Sequence, residues 1–158
     1  MKKQIFGLMA LILCACSGLT ACSDDDDDDN NGAHSTLVGT WECTGNVEWT
    51  SHSSKPYDPE AWELLEKQRL ELTSDGKITW YEWENGKWEW SERGTYTFGD
   101  NKIIQKIYNY NGYTDDSGEY DQTIWSVDEL SNNTLIITST DYEDGGKWID
   151  RYRFKKIN

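Results

Sequence analysis

Cysteine, histidine, proline and basic charge are all scarce in this chain, and each shortage removes a class of explanation. Three of the four cysteines, Cys14, Cys16 and Cys22, fall within the first 22 residues, which leaves Cys43 alone in the rest. A lone cysteine close to Trp41 on a strand-like run reads as a small buried hydrophobe rather than a nucleophile. Neither His34 nor His52 has a cysteine or histidine partner at ligand spacing, so a zinc-type site is not expected. The acids of 115–119, with Asp141, Glu143 and Asp144, offer oxygens to calcium but lack the EF-hand spacing, and read as solvated. Fifteen Lys and Arg against 29 Asp and Glu give a net charge of −14, the wrong sign for a phosphate-binding face, so nucleic acid is not an expected partner. There is no Ser-His-Asp or Cys-His arrangement and no phosphate-cradling glycine loop, and the acids are too many to single out a catalytic couple. The expectation is a non-enzyme without a cofactor.

Long apolar runs are scarce as well. The one candidate, 5–15, follows Met1-Lys2-Lys3 and leads through small residues to Leu19-Thr20-Ala21-Cys22. A charged start, a short apolar stretch and a small-residue cleavage site are the parts of a secretory signal. A membrane-spanning helix would need about 20 apolar residues. Leu19-Thr20-Ala21-Cys22 resembles the bacterial lipobox: an aliphatic residue, a small residue, Gly or Ala, and the lipidated cysteine. The resemblance implies cleavage before Cys22, a diacylglyceryl group on its thiol and a further acyl chain, of the palmitate kind, on its freed amine. Two or more chains anchor stably where one binds only marginally, so the mature protein would stay on its membrane.

With Cys14 and Cys16 lost and Cys22 lipidated, no disulfide can form inside the mature chain, and stability in an oxidising envelope has to come from the core. Losing Lys2 and Lys3 leaves 13 basic against 29 acidic residues, a net of −16, of which −10 lies outside the six aspartates of 24–29. That aspartate run repels itself and buries nothing, so 22–36 is expected to be a disordered, solvated tether. An acidic stretch directly after a lipidated cysteine is similar to the surface-export signal of Bacteroidota lipoproteins, which implies an outer-membrane protein displayed at the cell surface. The expected organisation is a signal peptide over 1–21, the tether over 22–36 and one folded domain over 37–158.

Within that domain, strand-like runs alternate with turn signals every 8 to 14 residues, the spacing of an antiparallel all-β fold. Strands are expected over 37–50, 68–73, 77–84, 87–98, 102–110, 119–130, 134–141 and 147–155. The stretch 51–59 holds both prolines and reads as a loop. After it, Asp58 can cap a short helix over 60–67, with Pro59 in its first turn and Trp62, Leu64 and Leu65 on one face. The remaining turns carry Asn, Asp and Gly, which accept positive φ, and each joins neighbours in sequence. Eight such strands close into an up-and-down barrel, which removes exposed edges. Its interior holds side chains or one small ligand.

The hairpin 77–98 is the richest segment in aromatic residues. A two-residue Asn85-Gly86 loop sets Glu84 against Lys87, Trp83 against Trp88, Glu82 against Glu89 and Tyr81 against Trp90. Four rings then share one face, but the two strands disagree about which face it is. Ile78 and Trp80 as core residues turn Tyr81 and Trp83 outward; Tyr96 and Phe98 as core residues turn Trp88 and Trp90 inward. A bulge within 91–94, eased by Gly94, would reconcile them. Facing in, the rings line a cavity for an apolar ligand or a sugar ring; facing out, they form a patch for a partner. Trp80, Tyr81, Trp83, Trp88, Trp90 and Tyr96 are therefore the candidate ligand-binding residues.

Leu37-Val38-Gly39-Thr40-Trp41 resembles the Gly-x-Trp opening of the lipocalin and calycin superfamily. Gly94-Thr95-Tyr96, Asn133-Thr134-Leu135 and Tyr152-Arg153-Phe154-Lys155-Lys156 resemble the lipocalin-like lipoproteins of the Bacteroidota. The resemblance implies a lipocalin-like eight-stranded barrel with one short helix between strands 1 and 2. It also implies that Gly39 and Trp41 close one barrel end, with Arg151 or Arg153 packed on the Trp41 ring. The paired cysteines and remaining motifs of secreted lipocalins are missing, so a transport role is not inherited from the fold. The expected function is non-catalytic binding of a small apolar or sugar-like ligand by a lipid-anchored barrel. The alternative is an envelope protein-interaction or inhibitor module acting through its loop tips, 51–58 and 109–118. An interior cavity of a few hundred Å³ separates the first from the second.

Overall fold

The computed structural model describes residues 28–64, 66–111, 113–114 and 119–158. The expected signal peptide, the expected lipidation site Cys22, most of the aspartate run and the acids of 115–118 lie outside the described residues. One helix, α1 (Asp28–Leu37), precedes β1 (Gly39–Thr50), β2 (Gln68–Leu72), β3 (Lys77–Glu84), β4 (Lys87–Gly99), β5 (Lys102–Tyr110), β6 (Tyr113–Thr114), β7 (Asp121–Leu130), β8 (Thr134–Glu143) and β9 (Gly146–Lys156). Each long strand pairs antiparallel with the next one along the chain, and β9 returns to pair with β1. Eight strands thus form the closed up-and-down barrel, while the two-residue β6 only extends the edge of β5.

Local chemistry accounts for this path. The hairpin turns fall on residues that tolerate positive φ: Asn85 and Gly86 at 50° and 84°, Asp100 and Asn101 at 51° and 53°, Asp144 and Gly145 at 51° and 76°. Paired positive φ values match the twist of the flanking strands. Buried and exposed positions alternate along the strands, as in Ile103, Gln105 and Ile107 of β5 or Leu135, Ile137 and Ser139 of β8. Two glycines answer to close approaches. A Cβ on Gly39 (φ 143°) would lie 2.4 Å from the Asn158 carbonyl oxygen, and one on Gly94 would lie 1.8 Å from that of Lys106.

The core fills one end of the barrel, where β1 begins and β9 finishes. Trp41, Phe154, Leu37, Leu70, Leu72, Ile78, Ile103, Leu135 and Ile137 are sealed from solvent there. The Trp41 indole N–H donates to the Leu37 carbonyl at 2.8 Å, and the Lys156 ammonium donates to the Thr36 carbonyl at 2.7 Å. The Thr40 N–H donates to the Asn158 carbonyl at 3.1 Å and joins the start of β1 to the residues that follow β9.

The helical content differs from expectation in two places. Residues 28–36, read as part of a disordered tether, are helical up to Leu37, and Leu37 enters the core. The helix expected over 60–67, between strands 1 and 2, is absent among the described residues. Asp58 does cap, but it caps a turn, accepting the Glu60 N–H at 2.9 Å. Glu63 then exchanges two backbone bonds with Asn46 of β1, at 2.6 and 3.0 Å. A backbone committed to β1 in this way cannot also close helical bonds.

Candidate functional site

At the opposite end the barrel is open, and side chains from seven of its eight strands enclose a cavity of about 230 Å³. Strand parity selects its lining. Inward positions that carry Leu and Ile near the closed end carry polar residues nearer the mouth: Gln68, Glu82, Glu92, Asp121, Ser139 and Asp150. The floor is aromatic. Trp80 lies 6.0 Å from Trp125 and 5.8 Å from Tyr152 between ring centroids, Trp125 lies 5.7 Å from Tyr152, and Phe154 packs beneath them.

The polar groups of this chamber are unevenly satisfied. The Trp80 indole N–H donates to the Gln105 side-chain oxygen at 3.1 Å, which keeps Gln105, a buried amide between two isoleucines, compatible with the core. Tyr110 donates its hydroxyl proton to Asp121. Trp125 is only 7% exposed, and its indole N–H has no acceptor among the described residues.

The electrostatics are one-sided, since among the described residues no lysine or arginine lines the cavity. Burial pushes the Glu92 carboxyl above its ordinary range, with Glu82 and Asp121 adding to the shift. Burial does the same to Asp150, reinforced by Glu48 and Asp141. The Tyr152 hydroxyl is raised by burial first and then by Asp150, Glu48, Cys43 and Glu92. Such a site repels anions and leaves carboxylate acceptors facing an aromatic surface.

The six candidate ligand-binding residues divide between the two sides of the wall. Trp80 faces in and forms part of the floor. Tyr96 also faces in but belongs to the closed end, where its hydroxyl donates to the Thr73 carbonyl at 2.8 Å and its ring stacks on His34. Tyr81, Trp83, Trp88 and Trp90 pair in the expected register, and the ladder faces outward. Ser91 is the extra residue of a bulge: Tyr81 opposes Trp90, while Trp80 opposes Glu92, so β4 changes face within one residue. Outside, the rings are covered by cations. The Arg69 guanidinium lies 3.9 Å from the centre of Trp88 and is held by Glu42 at 2.6 Å, Arg93 lies 4.3 Å from Trp90, and Lys67 lies 5.4 Å from Trp83. Of the four, Trp83 is the exposed one, at 42%, and the others are half-buried.

Barrel closure needs one correction. Trp41 does seal the end, but the cation on its ring is Lys156, at 5.0 Å. Arg151 and Arg153 point to the outer face, where they lie 4.9 and 4.6 Å from the ring of Trp62. The bulge between Cys43 and Gly45 shifts the β1–β9 register, which sets Trp41 opposite Lys156. Arg151 also bonds the Pro59 carbonyl at 2.6 Å and Asp128 at 3.2 Å, so the two arginines hold the 51–67 loop to the barrel wall. Trp125, Tyr152, Glu92 and Asp150 were not singled out from sequence. A signal for three of them existed in polar or amphipathic residues at core parity, such as Asp150, Tyr152 and Phe154 along β9.

No protein-family model matches the chain, and no curated protein matches its sequence. Among solved structures, the chain is similar to a lipocalin-like protein from Bacteroides uniformis, at 16% identity and a TM-score of 0.49, over 77% of this chain and 99% of that one. It is similar to an uncharacterized protein from Bacteroides eggerthii at 17% identity, with a TM-score of 0.44, over 76% and 98% of the two chains. A bovine odorant-binding protein in complex with a selenium-containing odorant matches at 17% identity and a TM-score of 0.44, over 79% and 73%.

Proposed function

We propose that this protein is a non-catalytic binding barrel that holds one small organic molecule in its open mouth, and that it works at the cell surface on a lipid anchor at Cys22. The observation that carries the binding half is the cavity itself: about 230 Å³, open at one end and floored by Trp80, Trp125 and Tyr152. A barrel filled to its rim would favour a protein partner instead. Aromatic rings give a small ligand a large contact area, and the polar wall residues fix its orientation. The outer ladder has less to offer, because Arg69 and Arg93 already lie over the rings of Trp88 and Trp90.

The anchor half rests on the lipobox-like Leu19-Thr20-Ala21-Cys22 and the aspartates after it. It fits the path of the chain, since α1 leads into the closed end and leaves the mouth at the far end. Native mass spectrometry of protein recovered from its own envelope tests the binding half. The wild type is expected to carry a single small adduct, and Ser139→Phe, which fills the cavity, to lose it with little change in melting temperature. An adduct retained at full occupancy by that variant would place the ligand elsewhere and end the proposal.

A further inference from the structure

Four acids and an unanswered donor surround the aromatic floor, and together they describe a ligand more narrowly than the cavity volume does. This reading rests on the mouth being a binding site. Glu92 on β4 and Asp150 on β9 stand four strands apart around an eight-stranded ring, so they face each other across the chamber. Both line the chamber that Tyr152 helps to floor. Glu82 on β3 and Asp121 on β7 complete the ring of charge.

We infer that the mouth takes a small organic cation, with an ammonium group set against the faces of Trp80, Trp125 and Tyr152 between Glu92 and Asp150, and an oxygen acceptor of the same molecule meeting the Trp125 indole N–H. Each part of that description answers a separate feature. Aromatic faces attract a desolvated cation through the ring quadrupole. Half-buried carboxylates with no basic neighbour in the lining supply the countercharge, and an anion would be repelled by all of them. The Trp125 N–H is a donor only, so it asks for a carbonyl, ether or hydroxyl oxygen. A purely apolar ligand would leave that donor and both carboxylates buried without partners, which is costly.

The affinity of a permanently charged ligand should follow the ionisation of the wall. The groups facing the site are Glu82, Glu92, Tyr110, Asp121, Asp150 and Tyr152, with Glu48 of β1 and Asp141 of β8 adding to the field. All are acids, and the carboxyls of Glu92 and Asp150 lose their protons later than usual as the pH rises. Cation binding therefore strengthens with rising pH and is lost on acidification.

Acetylcholine, which joins a quaternary ammonium to an ester carbonyl, and 3,3-dimethylbutyl acetate, its uncharged carbon isostere, test the inference on the full mature chain by calorimetric titration. Acetylcholine is expected to bind about tenfold more tightly than the isostere at neutral pH, the scale of one cation–π and ion-pair preference. That preference should vanish in the Glu92→Gln, Asp150→Asn double variant and shrink as the pH falls. In nuclear magnetic resonance, acetylcholine should move the Trp125 indole N–H signal, whereas tetramethylammonium, which has no acceptor, should move it less. Equal or tighter binding of the isostere overturns the cation while leaving the mouth as a binding site. Failure of both probes to bind a folded wild type also overturns the cation; if Ser139→Phe then keeps the native adduct, the binding site falls with it.

Discussion

Two carboxyls at the barrel mouth set a measurable stability cost. Glu92 and Asp150 titrate above their ordinary range because burial disfavours their charge. A group with a raised folded-state pKa stabilises the fold while it is protonated, and that contribution disappears as the pH rises through the raised value. At neutral pH both are therefore strained, and Glu92→Gln or Asp150→Asn should raise the melting temperature. The gain should fade as the pH drops into the range where the wild-type carboxyls are themselves protonated. Thermal melts across that range decide the matter, and unchanged or lower melting at neutral pH would show that these acids are solvated bystanders. Residues kept against stability commonly mark function. Asp150 was legible in principle, because it shares parity with Tyr152 and Phe154. Glu92 was not, because the Ser91 bulge inverts the parity of β4 just ahead of it.

At the scale of elements, hairpins could be read from sequence because their turns depend on two or three adjacent residues. Asn85-Gly86 fixed four cross-strand pairs, and the structure has all four. The helix expected over 60–67 failed for a non-local reason. Local capping by Asp58 is present, but the Trp62 ring and the Glu63 backbone are claimed by strands distant in sequence. The segment 51–67 is consequently fastened at a few points: the Trp62 ring under Arg151 and Arg153, Arg151 on Pro59, Ser51 on Lys147, and Glu63 on Asn46. Trp62→Ala removes the most apolar of them. Hydrogen exchange over 51–67 should then accelerate by about tenfold or more, as expected for a loop losing 1–2 kcal/mol of local protection. The strands should keep their protection, and faster exchange spread evenly over the barrel would show that the loop is part of the core.

For the molecule as a whole, strand count, order and closure followed from the spacing of turns, because an up-and-down path makes every barrel pairing but that of β1 with β9 one between successive strands. What spacing could not reveal was how much of the interior is filled, since that depends on which parities are apolar at each end. The proposed anchor also belongs to this scale. A Cys22→Ser chain should leave the membrane fraction and appear soluble with its barrel intact; a chain that stays membrane-bound would remove lipid on Cys22 from the account. The junction of β1 with β9 carries a mechanical consequence. The start of β1 and the residues that follow β9 meet at the closed end, joined by Thr40 and Asn158. Tension applied between them would peel that junction one rung at a time, like a zip, instead of shearing all its bonds at once.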